Sequence, residues 1–154
     1  MSAYYLDTSA IAKRYVNEPG SRWIRELVAA RPRHLFASSR LLIVEIASAL
    51  TRRLREKLIT PRVYRDALKT FDDDCQLEYQ LIEATDETIH TARDLVMRYP
   101  LRAYDAVHLA SALSAARSFR QAELPAPIFL SADDRLIQAA HAEGLLAENP
   151  NEYS

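Results

Sequence analysis

The chain alternates between short apolar runs and longer stretches in which apolar residues recur at helical spacing. The first pattern is typical of strands and the second of amphipathic helices. Strands are predicted at residues 3–6, 34–37, 77–81, 127–131 and 145–147. Helices are predicted at residues 8–15, 21–32, about 40–57, 60–71, 85–100, 105–119 and 133–142. Because helices interleave with strands and outweigh them, we expect an α/β fold: a helix-rich three-layer α/β/α sandwich with a short, mostly parallel sheet.

The 154 residues have the length of one compact domain, and no repeat, linker or low-complexity run divides them. No apolar run approaches the roughly 20 residues that cross a bilayer, and no early segment has the pattern of an export signal. The single cysteine, Cys75, cannot form an internal disulfide. We therefore expect one soluble domain, residues 1–154, that works in the cytoplasm without a membrane partner.

Four acidic residues lie among small or apolar neighbours: Asp7 in YYLDTSA, Glu45 in LLIVEIASAL, Asp105 in LRAYDAVHLASA and Asp133 in IFLSADDRL. A carboxylate buried among apolar groups must find a positive partner, hydrogen-bond donors or a metal, or else take up a proton. Asp7 and Asp133 also follow predicted strands, and parallel sheets bind ligands beyond the carboxyl ends of strands, where the strand order reverses. Together the four acids indicate one shared cation.

Helix capping is the competing explanation for three of these acids. Asp7, Asp105 and Asp133 each come directly before a predicted helix, where aspartate is a preferred N-cap, so each one taken alone is explained as a cap. Glu45 does not fit, because it lies inside a predicted helix that Ser38 or Ser39 is expected to cap, seven residues past Ser38, with little access to water. Its own alternative explanation is an ion pair with an arginine.

A cluster of these acids would be costly without a cation. Two carboxylates about 4 Å apart repel by roughly 4 kcal/mol at an effective dielectric of about 20, and several such pairs rival a folding free energy on the order of 5–15 kcal/mol. All the ligands are oxygens, and no cysteine or histidine has metal-site spacing, so Mg²⁺ or Mn²⁺ is favoured over zinc. His108 lies three residues after Asp105 and is expected to pack or hydrogen-bond outside the site.

The net charge of −1 gives no global attraction to nucleic acid or to an anionic membrane, so binding of a polyanion must depend on local charge. Only three of the 20 basic residues are lysines. Genome composition explains that arginine share more simply than phosphate binding does. One basic cluster remains informative: Arg52, Arg53, Arg55, Lys57, Arg62 and Arg65. It is either a rim that binds phosphate or a solvated helix end.

The four acidic segments resemble the motifs of PIN-domain ribonucleases in the same order and at similar spacing, over nearly the whole chain. The matching segments are DTS at residues 7–9 after an apolar strand, Glu45 in an apolar helix, LRAYDAVHLASAL around Asp105, and SAD at residues 131–133. The third is the most specific. The length and the helix-rich order are similar to those of VapC toxins of bacterial and archaeal toxin–antitoxin pairs.

The resemblance, carried over by position, implies the roles of individual residues. The catalytic and metal-binding acids would be Asp7, Glu45, Asp105 and Asp133. The residues that orient or assist them would be Ser9, Ser131 and Asp134. Asp134 either assists the metal or only faces solvent in the first turn of its helix. The candidates for RNA binding come from the basic cluster instead, because an acidic site repels RNA and needs basic groups at its rim: Arg52, Arg53 and Arg55. Three residues near motif acids could stack on or pair with nucleotides: Tyr15, Arg102 and Tyr104. For each tyrosine we expect core packing instead.

The implied activity is Mg²⁺-dependent hydrolysis of RNA phosphodiester bonds by the toxin of a toxin–antitoxin pair. A toxin of this kind implies a cognate antitoxin that covers an apolar groove, and a homodimer. The helix faces with Trp23, Ile24, Tyr64 and Leu68 are candidates for core or groove. One alternative is a PIN nuclease that processes RNA without an antitoxin. Another is a non-catalytic regulatory module whose acids pair with arginines.

Overall fold

The strands of this protein form one parallel sheet. The structure, a computed structural model, describes residues 1–30 and 32–153. Within these residues the strands are β1 (Ser2–Leu6), β2 (His34–Ser39), β3 (Tyr79–Ile82), β4 (Pro127–Leu130) and β5 (Ala147–Glu148). Their order across the sheet is β3-β2-β1-β4-β5, and every neighbouring pair is parallel.

Helices cover both faces of this sheet. They are α1 (Thr8–Tyr15), α2 (Ser21–Ala29), α3 (Leu42–Arg55), α4 (Pro61–Leu77), α5 (Asp86–Arg98), α6 (Ala103–Gln121) and α7 (Asp134–Ala142), and a short 3₁₀ helix follows at Pro150–Glu152. One apolar cluster packs α5, α6 and α7 against one face, and a second packs α1 to α4 against the other. The predicted helix-rich α/β/α sandwich is confirmed.

The alternation of side chains along the strands explains the two clusters. Tyr5 and Phe129 stack with ring centroids 5.6 Å apart and belong to the cluster of α5 to α7. The next residues of the same strands, Leu6 and Leu130, belong to the cluster of α1 to α4. Successive side chains of a strand point to opposite faces, so a continuous apolar run suits a sheet that is covered on both sides.

Two predicted boundaries were wrong on the α2 and α4 side of the sheet. Helix α4 continues to Leu77, so the third strand begins at Tyr79. No glycine or proline stops α4 earlier, and the alternating residues after it could not by themselves define the helix end. The predicted helix 21–32 ends at Ala29, and Arg31 lies outside the described residues.

The four apolar residues that are candidates for core or groove lie in or against the core. Ile24 is fully buried, and Trp23, Tyr64 and Leu68 lie half-buried against the cluster of α1 to α4. Trp23 also stacks on Tyr153, with ring centroids 4.3 Å apart, which anchors the C-terminal segment on α2. In the part of the chain that the structure describes, no helix has the length and apolar character needed to cross a bilayer.

Candidate functional site

The strand order reverses between β1 and β4. The chain passes from β1 to β2 on one side of the sheet and later returns to β4 on the other side of β1. Leu6 pairs with Leu130 at the carboxyl ends of these two strands, and the backbone N–H of Asp7 donates to the Leu130 carbonyl at 3.1 Å. Asp7 and Ser131 therefore leave the sheet side by side, at the place where ligands bind in sheets of this kind.

Asp7 is buried, with 4 % of its surface exposed, and is held by three hydrogen bonds. Its Oδ1 accepts from the Ser9 hydroxyl at 2.7 Å and from the Ala10 backbone N–H at 2.9 Å, which makes Asp7 the N-cap of α1. Its Oδ2 accepts from the Ser131 hydroxyl at 2.7 Å. Each carboxylate oxygen can accept two bonds. Within the described chain, Oδ2 therefore keeps one lone pair for a further partner.

The two serines also tie Asp7 to the turn after β4. The Ser9 hydroxyl accepts from the backbone N–H of Ala132 at 2.8 Å, and the Ser131 hydroxyl accepts from that of Asp133 at 3.1 Å. Each serine thus donates to the Asp7 carboxylate and accepts from the segment that carries Asp133. The motif segments after β1 and β4 form one hydrogen-bonded unit.

Glu45 reaches the site from the start of α3. The helix begins at Leu42, so Glu45 lies in its first turn, and the expected position seven residues past a cap was wrong. Ser39 does accept from the Leu41 backbone N–H at 3.2 Å, but this contact precedes the helix. The Glu45 side chain is 21 % exposed, and its Oε1 lies 2.7 Å from Nε2 of His108. The partner is a histidine, so the alternative explanation of Glu45 by an arginine ion pair was wrong.

Asp105 lies in the first turn of α6. This helix begins at Ala103 after an N-cap at Arg102 that makes no side-chain cap bond, so the capping role considered for Asp105 was wrong. A negative charge is favourable anywhere in the first helical turn. An aspartate near a helix start in the sequence therefore does not by itself distinguish the N-cap from the positions that follow it.

Asp133 and Asp134 have different environments although they are adjacent. Asp133 caps α7 by accepting from the Arg135 backbone N–H at 2.9 Å, and it lines the same cavity as the other three acids. Asp134 is exposed and accepts from the Asn149 side-chain amide at 2.9 Å. It is not among the residues that line the cavity. The structure therefore separates the two carboxylates that the sequence left ambiguous.

The four acids line one cavity of about 980 Å³. Four different segments bring them there: the end of β1, the starts of α3 and α6, and the turn after β4. Within residues 1–30 and 32–153, no three metal-ligating side chains are already gathered into a closed site. The acids thus share the cavity wall without converging on one point.

Charge and burial act together on two of these carboxyls. Burial raises the pKa of Asp7 above its ordinary value, and the charge of His108 and the bonds from Ser9, Ser131 and Ala10 oppose that rise. Burial also raises the pKa of Asp105, and the charges of Asp7 and Asp133 raise it further. A cation bound nearby would lower the pKa of each carboxyl, because a nearby positive charge favours the ionised form.

A pH dependence of stability follows from these shifts. A raised carboxyl pKa means that the folded chain binds more protons than the unfolded chain between the ordinary and the raised pKa, so the free energy of unfolding falls as pH rises through that window. In EDTA we expect Asp105→Asn to melt above the wild type at pH 7, with a difference that shrinks toward pH 4. Thermal unfolding followed by circular dichroism measures this, and equal melting curves at pH 7 would contradict it.

The basic residues are distributed unevenly around the cavity. Arg52 and Arg53 on the last turn of α3 line it, whereas Arg55, exposed on the same turn, does not. Two further cations line the wall: Arg102, which the sequence had suggested as a nucleotide contact, and Lys13, which the sequence analysis missed. Lys13 is only 3 % exposed. The sequence could have identified Lys13 from its position in an amphipathic helix next to the first motif.

Glu18 holds two of these cations. The Lys13 ammonium donates to the Pro19 carbonyl at 2.7 Å and to Glu18 at 3.3 Å, and Arg53 donates to the other Glu18 oxygen at 3.1 Å. The Glu18 carboxylate partly neutralises this side of the wall. Arg52 has no such partner among the ion pairs of the described residues.

The two tyrosines near the motif acids behave differently. Tyr15 is buried and its hydroxyl bonds Asp74 at 2.6 Å, so its predicted core position is confirmed. Tyr104 is 62 % exposed and lines the cavity, so its predicted core position was wrong. Tyr104 lies in the first turn of α6, where the helix has not yet entered the apolar cluster.

The chain has the fold of several solved structures. Similar chains include VapC20 of Mycobacterium tuberculosis, a toxin that cleaves the sarcin–ricin loop (TM-score 0.63, 17% identity, 94% of this chain and 97% of that chain covered). Others occur in VapBC2 of Rickettsia felis bound to a DNA fragment from its promoter (0.61, 12%, 96% and 98%) and in VapBC-5 of M. tuberculosis (0.57, 17%, 97% and 98%). At these identities the likeness concerns the fold.

No curated protein sequence matches the chain. The family model of the PIN domain does match, over residues 4–142. That range includes all four acids of the cavity, both serines that bond Asp7, and every helix of the sandwich. The chain therefore belongs to the PIN domain family.

Proposed function

We propose that this protein is a Mg²⁺-dependent endoribonuclease, formed by one domain over residues 1–154, that acts as the toxin of a toxin–antitoxin pair. The observation that carries the proposal is the gathering of Asp7, Glu45, Asp105 and Asp133 around one cavity at the strand-order reversal. A non-catalytic module would neutralise such acids with arginines. Among the ion pairs of the described residues, none joins an arginine to any of the four.

The four carboxylates are the proposed cation ligands, and their oxygen-only donor set suits Mg²⁺, with Mn²⁺ as a possible substitute. The residual lone pair on the buried Asp7 Oδ2 fits this assignment. A divalent cation held there supplies Lewis acidity, which acidifies water and offsets charge on a phosphate. Ser9 and Ser131 hold the Asp7 carboxylate in a fixed orientation, so little reorganisation is needed when the cation or the substrate arrives.

The cationic part of the cavity wall is the proposed RNA-binding surface. Three arginines line the same cavity as the acids and can meet phosphates on either side of the scissile bond: Arg52, Arg53 and Arg102. Lys13 is buried and bonded to Glu18 and Pro19, so it adds positive charge to the wall without a direct phosphate contact. Tyr104 is exposed at the same wall and offers a ring face for an unstacked base. These side chains give a single strand both charge and stacking contacts.

Cleavage is tested by incubating the purified chain with total cellular RNA in Mg²⁺, in Mn²⁺ and in EDTA. We expect discrete cleavage products with either metal, none in EDTA, and a melting temperature that rises with Mg²⁺ concentration. Intact RNA under all three conditions, with no shift in melting temperature, would refute the nuclease assignment. Mapping the cut ends would also identify the RNA target.

The toxin role is supported by the solved structures of the same fold, which include a toxin that cleaves the sarcin–ricin loop and a toxin–antitoxin complex from Klebsiella pneumoniae. The proposed partners are a cognate antitoxin and a second copy of the chain in a cytoplasmic homodimer. Induced expression is expected to arrest growth, and co-expression of the small protein encoded beside the gene is expected to restore it. A nuclease that processes RNA without an antitoxin would cleave in vitro and leave growth unchanged.

A further inference from the structure

His108 lies buried between β1, α1 and α3, although it belongs to α6. Its surface is 1 % exposed. Its Nε2 lies 2.7 Å from the Glu45 Oε1 atom and 3.1 Å from the Thr8 hydroxyl, and its Nδ1 lies 3.1 Å from the Tyr5 hydroxyl. Both ring nitrogens are therefore engaged with residues from other segments of the chain.

The chemistry of the partners gives these contacts a direction. An ionised carboxylate can only accept, so Nε2 carries a hydrogen and donates to Glu45. The Tyr5 hydroxyl donates to Nδ1 when the imidazole is neutral and accepts from Nδ1–H when it is protonated, so the contact persists in both states. Tyr5 is fully buried and stacks on Phe129, so its position is set by the core. The contacts form a continuous path from the packed sheet to the Glu45 carboxylate.

Glu45 depends on this path more than Asp7 depends on any one of its hydrogen-bond partners. Asp7 is short, 4 % exposed and held by three hydrogen bonds. Glu45 is longer and partly exposed, beside a Val44 side chain that is 69 % exposed. Among the described residues, His108 supplies the one hydrogen bond to its carboxylate. Without that bond the rotamers of Glu45 would be free to carry its carboxylate into solvent.

We propose that His108 is a positioning residue that holds Glu45 for cation binding and thereby completes the four-acid site. This inference rests on the proposed function. Partners that hydrogen-bond a ligating carboxylate typically change metal affinity or activity about 10–100-fold when they are removed. His108 takes this role for Glu45, which a helix start carries, as Ser9 and Ser131 do for Asp7 at the end of β1.

Two substitutions distinguish a role of His108 in positioning Glu45 from a role in packing alone. His108→Phe keeps a ring of similar size but has no donor, and His108→Gln keeps an N–H donor at the end of a flexible chain. Binding of Mn²⁺ to the RNA-free protein, followed by electron paramagnetic resonance, reads out the site without any cleavage. We expect His108→Phe to weaken Mn²⁺ binding about 10–100-fold and His108→Gln to recover most of that loss.

Kinetics with RNA add a second readout. We expect His108→Phe to lower kcat at a fixed Mg²⁺ concentration while KM for RNA stays within about twofold, because phosphate contacts lie elsewhere in the wall. In a Glu45→Gln background, His108→Phe should cost little further Mn²⁺ affinity, because the bond it removes no longer serves a charged ligand. If His108→Phe does not fold, Tyr5→Phe tests the same path by releasing Nδ1, with weaker Mn²⁺ binding expected.

The outcomes are distinguishable. A wild-type protein that binds no Mn²⁺ and cleaves no RNA overturns the proposed function and this inference with it. If the wild type binds and cleaves, but His108→Phe and Tyr5→Phe bind Mn²⁺ as tightly as the wild type, the positioning role alone fails. Equal losses in folded His108→Phe and His108→Gln, without coupling to Glu45→Gln, would assign His108 to packing.

Discussion

Asp7→Asn is expected to lower the rate of Mg²⁺-dependent RNA cleavage by at least about 100-fold while the chain still folds. Metal stabilisation of charge in the transition state is worth several kcal/mol, and about 1.4 kcal/mol corresponds to a tenfold rate. The asparagine oxygen can still accept from Ser9 and from the Ala10 N–H, so the cap of α1 is retained. The change removes the charge next to Ser131 and leaves the rest of the network in place.

The matched control is Asp134→Asn, which makes the same chemical change on a neighbouring segment. Its carboxylate faces Asn149 at 2.9 Å and lies outside the cavity wall, so we expect cleavage within about threefold of the wild type. Cleavage rates are measured on one defined RNA, with circular dichroism to verify folding. Full activity of Asp7→Asn in a preparation free of host nuclease would refute the role of Asp7.

Removal of two positive charges from the cavity wall should weaken RNA binding without changing metal affinity. Each phosphate contact to a single strand contributes a slope of about 0.7 in log K against log salt, which is about fivefold in affinity at 0.1 M salt. For Arg52→Gln/Arg53→Gln we therefore expect a slope reduced by about 1.4 and an affinity about 25-fold lower. Filter binding of RNA to the Asp7→Asn protein, with and without these changes, measures both quantities in the absence of cleavage.

Two single variants calibrate that result. Arg120 is exposed on the last turn of α6, about 22 Å along the helix from Asp105, so Arg120→Gln should leave the slope unchanged. Arg55→Gln removes the predicted RNA contact that lies outside the cavity lining, and we expect a smaller loss than at Arg52. If the slope of log K against log salt is unchanged in the Arg52→Gln/Arg53→Gln protein, the proposal that this wall binds RNA is refuted.

Capping and cavity lining proved compatible in this fold, although they competed as explanations of the sequence. Asp7 and Asp133 each accept a backbone N–H at the start of a helix, and each also lines the cavity. In a parallel sheet a strand end is followed by a helix start, so the same residue lies at the site edge and at an N-terminus. A cap bond occupies one lone pair and leaves others for a ligand.

The local pattern of the sequence determined the alternation of strands and helices, the sandwich they form, and the four acidic segments by which the chain resembles its family. These features follow from neighbouring residues, because side-chain periodicity and turn chemistry act over a few positions. Periodicity also located Asp7, Asp105 and Asp133 at helix starts. It missed by two or three residues where α3 and α6 begin, and so placed Glu45 inside its helix and not in the first turn.

The tertiary structure alone decided which side chains meet. Glu45 and His108 are 63 positions apart, and they come together because α3 and α6 both begin at the edge where β1 ends. The same packing turns Asp134 toward Asn149 and exposes Tyr104 in the cavity wall. Such contacts depend on how layers from distant parts of the chain pack on one sheet, and no local pattern carries that information.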